Sequence, residues 1–168
     1  MTIKIGDRIP DGTLYEYYDE PSGACAVGPN PVQVADAAKG KTIALFAVPG
    51  AFTPTCSEKH VPGFLELRDA LREKGVDEIW CVAVNDAFVM GAWGRSLGVN
   101  GRIRMLGDGS GEFARKLGLE LDLNARGMGV RCQRFSALLR DGVVEQLNIE
   151  QAGKFEVSDA RSLLNQLS

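Results

Sequence analysis

An apolar run that stops at a proline–glycine pair constrains this chain more than any other feature. Thr42–Val48 reads TIALFAV, the near-continuous pattern of a strand buried on both faces in a central sheet. Pro49-Gly50 ends that strand and turns the chain. Thr53-Pro54 then predicts a helix start, a hydroxyl N-cap followed by proline at the first helical position, where its missing N–H costs nothing. The helix is expected to run to about Lys74 with Val61, Phe64, Leu65, Leu67 and Leu71 along one side. Pro62-Gly63 inside it predicts a kink. Cys56 therefore falls in the first turn, where unpaired backbone N–H groups and the positive end of the helix dipole favour a thiolate. Position alone leaves two readings: a nucleophile, or a buried and inert structural thiol.

The remaining segments build a frame around that turn. Ile3 to Tyr17 reads as short strands and turns, and Asp19 to Pro31 as a loop or hairpin carrying Cys25. Val32 to Ala38 suggests a short helical turn. Glu78–Val84 is a second buried strand and Arg102–Leu106 a third. Asn85-Asp86 is expected to cap a helix over Ala87–Leu97, Ser110 a helix over Glu112–Leu117, and Ser158 a last helix from Asp159 to Leu167. Arg131–Arg140 is expected to pair with Val143–Ile149 through Asp141-Gly142, the strongest hairpin signal in the chain. Alternating strands and helices closed by an antiparallel pair imply an α/β domain, three layers (α/β/α) on a central mixed sheet. A cysteine opening the helix after the first such strand is the arrangement of a thioredoxin-like fold.

Composition excludes several classes. A length of 168 residues fits a single domain spanning 1–168. A net charge of -3 gives no reason to expect nucleic acid or an anionic membrane as partner. Residues 1–7 lack a basic region followed by an apolar core, so no leader is expected, and no apolar run approaches membrane-spanning length. The four cysteines, Cys25, Cys56, Cys81 and Cys132, are scattered without a C-x-x-C pair. That argues against a metal centre or a disulfide framework and for a reducing, cytoplasmic setting. Neither a metal nor an organic cofactor is expected.

Other residues carry competing readings. His60, the only histidine, lies four residues after Cys56 and so on the same helical face. A Cys–His nucleophile pair is one reading and a structural neighbour of the site the other, and the second is preferred. Cys81, in an apolar strand, reads as packing. Cys132 stands two residues before Arg134 and so would share its strand face. Arg134 reads as an ordinary strand arginine or as a cation for the site, and Arg131 as a neighbour of the site or a surface charge. Gly107–Gly111 (GDGSG) is a turn rather than a phosphate loop. The Phe88–Trp93 stripe reads as core whose exposed part could support a dimer face.

Pro49, Thr53 and Cys56 form P-x-x-x-T-x-x-C, which resembles the peroxiredoxin signature. VPGAFTPTCSEKHVPGF, VNDAFVMGAWG (Val84–Gly94) and RFSALLRDGVVEQLNIE (Arg134–Glu150) resemble the type II, or peroxiredoxin-5-like, branch. The resemblance covers nearly everything from Lys41 onward; the segment from Glu16 to Gln33 matches less clearly. It implies a thiol peroxidase acting on hydrogen peroxide and small alkyl hydroperoxides, with Cys56 as the peroxidatic residue oxidised to a sulfenic acid. By the same resemblance Arg134 is the active-site arginine, Pro49 shields the pocket, and the Thr53 hydroxyl bonds the thiolate and the peroxide. It also implies a homodimer. Two-cysteine members of the branch resolve the sulfenic acid with a cysteine in the loop before the last helix. Here Val157 stands at about that position, and no cysteine follows Cys132. An outside thiol, glutathione with or without a glutaredoxin, is therefore expected as reductant, against the alternative that Cys132 or Cys25 resolves in a thioredoxin-dependent cycle. A redox sensor or partner-binding protein on the same fold is the competing class, and turnover separates it from an enzyme.

Overall fold

The TIALFAV run does become a central strand. The computed structural model describes residues 1–17 and 28–167. In chain order it contains β1 (Thr13–Glu16), β2 (Asn30–Gln33), α1 (Val34–Ala38) and β3 (Thr42–Ala47), then a π-turn at Cys56–His60 that leads into α2 (Val61–Glu66) and α3 (Arg68–Glu73). β4 (Glu78–Ala83), α4 (Ala87–Leu97), β5 (Arg104–Gly107) and α5 (Glu112–Leu117) follow. The chain ends with β6 (Glu120–Leu123), a 3₁₀ turn at Asn124–Arg126, β7 (Gly129–Cys132), β8 (Phe135–Arg140), β9 (Val143–Ile149) and α6 (Ala160–Gln166).

Seven strands form one mixed sheet in the order β2-β1-β5-β4-β3-β8-β9. β3, β4 and β5 run parallel, while β8 pairs with β3 antiparallel. Strand periodicity splits the core into two layers. Ile43, Leu45, Ala47, Trp80, Val82, Phe135, Ala137 and Leu139 face one side, against Val34 of α1 and Phe113 and Leu117 of α5. Ala44, Phe46, Val48, Ile79, Cys81, Ala83 and Leu138 face the other, against Phe64 of α2, Leu71 of α3, Met90 and Trp93 of α4 and Leu163 of α6. This is the three-layer α/β/α arrangement of the thioredoxin-like fold. Both faces of β3 are buried, which is why its sequence does not alternate.

The structure corrects several local expectations. The helix from Pro54 is interrupted around Pro62, where the sequence predicts a kink, but the interruption takes the form of a π-turn and a second break follows. The segment opens as helix at Pro54, widens into the π-turn, and breaks again at Leu67. Pro62 accounts for the first irregularity, because it has no N–H for the carbonyl four residues back; Val61 N–H instead reaches the Cys56 carbonyl, five residues back. Arg131–Arg140 is not one strand. β7 pairs with β6 in a separate two-stranded sheet, and Gln133-Arg134 carries the chain across to β8. The hairpin itself forms as expected, with Asp141 and Gly142 both at positive φ, 50° and 79°. Asp86 caps α4 through Val89 N–H. Ser110 does not cap α5: the Asp108 carboxylate accepts from the Phe113 and Ala114 amides. Nor does Ser158 cap α6, a role taken by Asp159. Val32 and Gln33 belong to β2 rather than to a helical turn. Cys25 lies outside the described residues.

Candidate active site

The site forms where β3 ends. Val48 N–H still bonds the Val82 carbonyl, and then Pro49 and Gly50 lead the chain off the sheet. The turn after Pro49 is fixed from two sides. Asn85 Oδ1 accepts from Ala51 N–H at 2.9 Å, and Phe52 takes a positive φ of 64°. Glycine suits position 50 by close approach, since a Cβ there would stand 3.2 Å from both Arg131 Nη1 and Thr53 Cγ2 and one of them would have to give by a few tenths of an ångström. Arg131 is thus a neighbour of the turn, tied to the carbonyls of Met128 and Val84.

The first helical bond runs from Ser57 N–H to the Thr53 carbonyl, so the amides of Thr55 and Cys56 stand ahead of the ladder. The Thr53 hydroxyl donates to the Gly50 carbonyl at 2.7 Å, rather than capping the helix or reaching the sulfur. Its hydrogen is therefore engaged, and what it offers a ligand is a lone pair.

Register brings the arginine in. Ala47 pairs with Phe135, so Arg134, the residue before, stands at the sheet end where Pro49 leaves it. Arg134 Nη2 donates to Cys56 Sγ at 3.1 Å, and Nη1 bonds His60 Nδ1 at 2.9 Å. The guanidinium also lies over the Phe155 ring, 5.7 Å from its centroid. A guanidinium only donates, so His60 Nδ1 is the acceptor and the ring proton sits on Nε2. Nε2–H then donates to the Ser158 carbonyl at 2.9 Å. His60 is fully buried among Phe46, Phe64 and Phe155. That burial, with the Arg134 charge beside it, pushes its pKa down to about 3, so the imidazole is neutral.

Glu150 closes the circuit. Its carboxylate accepts from the Glu156, Val157 and Ser158 amides and from the Ser158 hydroxyl, the last two at 2.8 Å each. Its own N–H donates to the Arg134 carbonyl. Burial by itself disfavours the anion and pushes this carboxyl's pKa up, yet these donors outweigh it and hold the group below the usual carboxylate range. Sequence reasoning missed Glu150 and Phe155. A glutamate closing a hairpin strand and an aromatic in a polar loop carry no signal of their own.

A pocket of about 340 Å³ opens over this assembly. Pro49, Thr53, Pro54, Arg134 and Phe155 line it, with Arg126 and Lys154 as further cations. Cys56 itself is fully buried. Arg134 both lines the pocket and touches the sulfur, so the thiol lies within one guanidinium of the open space. All four residues singled out by sequence, Pro49, Thr53, Cys56 and Arg134, thus meet at one place.

The other thiols do not meet them. Cys81 is buried in β4, and burial raises its pKa well above the ordinary value. Cys132 does not share a face with Arg134. It packs with Ile43 and Phe135 in the layer opposite Cys56, and burial, then Asp108, raises its pKa. Among the described residues no group of side chains could hold a metal ion, and no helix is long and apolar enough to cross a membrane.

Known proteins share this architecture. Residues 4–164 match the family described as Redoxin. The chain is 50% identical over 168 residues to peroxiredoxin-2E, chloroplastic, of Arabidopsis thaliana, covering 99% of this chain and 70% of that protein. It is 49% identical to peroxiredoxin-2B of the same plant, covering 98% of each. Among solved structures, reduced Prx3 from Vibrio vulnificus in complex with H2O2 superposes with a TM-score of 0.91 at 44% identity, covering 99% of this chain and 100% of that one. Identity of this order, sustained from one end of the chain to the other on a common fold, assigns the chain to the redoxins and, within them, to the type II peroxiredoxins, a group of thiol peroxidases.

Proposed function

We propose that Cys56 is the peroxidatic thiol and that the enzyme works a one-cysteine cycle closed by an outside thiol. The observation that carries this reading is the 3.1 Å contact from Arg134 Nη2 to Cys56 Sγ at the pocket wall. A fixed cation on sulfur favours the anion, and the thiolate is the nucleophile. Its electron pair attacks the terminal oxygen of hydrogen peroxide or a small alkyl hydroperoxide. The S–O bond forms as O–O breaks, the leaving oxygen departs as water or an alcohol after taking a proton, and Cys56 becomes a sulfenic acid. Thr53 accepts the peroxide O–H, which orients the O–O bond, while Arg134 meets the charge growing on oxygen. Pro49 walls the sulfur from solvent.

Resolution falls to an external thiol. Glutathione condenses with the sulfenic acid, releasing water and leaving a mixed disulfide; a second thiolate attacks that disulfide and frees Cys56. The pocket volume lies in the range of small-molecule sites, and Arg126 and Lys154 suit the carboxylates of glutathione. Val157 occupies the resolving position, and Glu150 pins its amide. A second copy of the chain would pack on the face that carries the exposed rings of Phe52 and Phe88.

The test is turnover with product mass. Wild type supplied with glutathione should consume peroxide in excess of its own concentration, and Cys56→Ser should abolish this. One equivalent of peroxide followed by glutathione should give an adduct on Cys56. Oxidation without turnover would leave a sensor. A rapid Cys56–Cys132 or Cys56–Cys25 disulfide recycled by thioredoxin would overturn the one-cysteine cycle.

A further inference from the structure

We infer that His60 is the positioning residue for Arg134, aiming its guanidinium at the sulfur as a neutral acceptor whose orientation is set by the Glu150–Ser158 clamp. The inference rests on the peroxidase reading of Cys56 and adds a residue to it.

The argument begins with a conflict. An arginine that must favour an anion on sulfur has to be held still, or its long side chain samples other rotamers. The usual holder is a carboxylate, which would offset much of the charge the sulfur needs. Here the second donor, Nη1, is taken at 2.9 Å by an imidazole nitrogen, and the carboxylate is withheld from the guanidinium. Glu150 instead spends its oxygens on the amides of Glu156, Val157 and Ser158 and on the Ser158 hydroxyl. That leaves the Ser158 carbonyl facing His60 Nε2 at 2.9 Å. A carbonyl accepts only, so the ring proton is drawn to Nε2 and the lone pair on Nδ1 is presented to Arg134. Phe46 and Phe155, with ring centroids 4.7 and 4.9 Å from that of His60, fix the plane of the imidazole. The two ends of the relay meet again where Glu150 N–H donates to the Arg134 carbonyl, so backbone and guanidinium are held by one circuit.

Amide replacements separate the two ends of the imidazole. In His60→Asn the amide oxygen can stand near the Nδ1 position and keep an acceptor for Arg134. In His60→Gln the amide nitrogen can stand near Nε2 and keep a donor for Ser158 while the acceptor is lost. Two rates are measured on each variant: single-turnover oxidation of Cys56 by hydrogen peroxide, and alkylation of Cys56 by iodoacetamide, which needs the thiolate but no aimed donor. His60→Gln should lose about tenfold or more in peroxide rate while alkylation changes far less, and His60→Asn should recover most of that loss. Equal peroxide rates in wild type, Asn and Gln would overturn the inference. So would parallel losses in both rates, or recovery in Gln rather than Asn, since those track fold integrity instead of aim. A wild-type protein whose Cys56 is not oxidised by peroxide would defeat the peroxidase reading itself, independently of the histidine.

Discussion

Replacing Arg134 by lysine separates charge from geometry. Arg134 spans two acceptors at once, Cys56 Sγ at 3.1 Å and His60 Nδ1 at 2.9 Å, from two different nitrogens. A lysine ammonium is a single point on a flexible stem and satisfies one of them. The variant keeps its positive charge in the pocket but forfeits one charge-assisted hydrogen bond, a loss of about 1.5–3 kcal/mol. At 1.36 kcal/mol per decade that is roughly a ten- to hundredfold fall in the peroxide rate. The lower end is expected, because Arg134 is only half buried and water can replace part of the lost bond. Stopped-flow fluorescence is the natural assay: Trp93 Nε1 donates to Ser57 Oγ, on the residue next to the sulfur, so oxidation at Cys56 should register in its emission. Titrating thiolate absorbance on the same sample shows how much of the effect is ionisation. A lysine variant that reacts within about threefold of wild type would refute the two-acceptor role and leave Arg134 as a charge alone.

Acid stability should carry the signature of the buried histidine. The His60 pKa falls from 6.5 to about 3 on folding, so between those values the unfolded chain binds a proton that the native state refuses. Stability therefore falls as pH drops through that window, and the slope of Tm against pH should be shallower in His60→Asn; an unchanged slope would show His60 to be accessible to protons. Glu150, held below the usual carboxylate range, adds to the loss further into acid, as its clamp protonates. Thr53→Val removes both the bond to the Gly50 carbonyl and the lone pair facing the pocket, and should slow peroxide reduction by about tenfold or more while Thr53→Ser stays near wild type. Equal rates in valine and serine variants would remove Thr53 from the chemistry.

Sequence made the frame legible where the deciding physics is local. The apolar run of β3, the Asp141-Gly142 turn and the Asp86 cap each depend on a handful of adjacent residues, and each forms as read. Two of the errors share one cause, a partner from elsewhere in the chain. Ser158 and Asp159 are equal candidates to cap α6, and Asp159 takes the role because the Ser158 hydroxyl is already claimed by Glu150. Arg131–Arg140 has no glycine or proline to announce a break, yet pairing of β7 with β6 pulls its first residues into another sheet. That break is what carries Cys132 away from Arg134 and into the opposite layer. The motif spacings of Pro49, Thr53 and Cys56 were readable because these residues lie on one short stretch of chain; Arg134 came from resemblance, and Glu150 from neither.

Three described thiols make the same point about reactivity. Cys56, Cys81 and Cys132 are all buried, with no more than 2% of any of them exposed, so burial cannot be what distinguishes a nucleophile. Burial alone pushes a thiol up, as it does at Cys81 and Cys132, and leaves it a small inert hydrophobe. Cys81 sits in the same layer as Cys56 and still has no donor on its sulfur among the hydrogen bonds of the described residues, because β4 directs it into the packing between sheet and helices. Cys56 alone among them receives a guanidinium N–H, and it does so because β3 ends at Ala47, opposite Phe135 where β8 begins, and Pro49 then turns the chain off the sheet. The proline that ends one strand and the sheet-to-sheet crossing that starts another are therefore the structural cause of the site. Moving either by one residue would take the cation off the sulfur and leave a third buried, silent thiol.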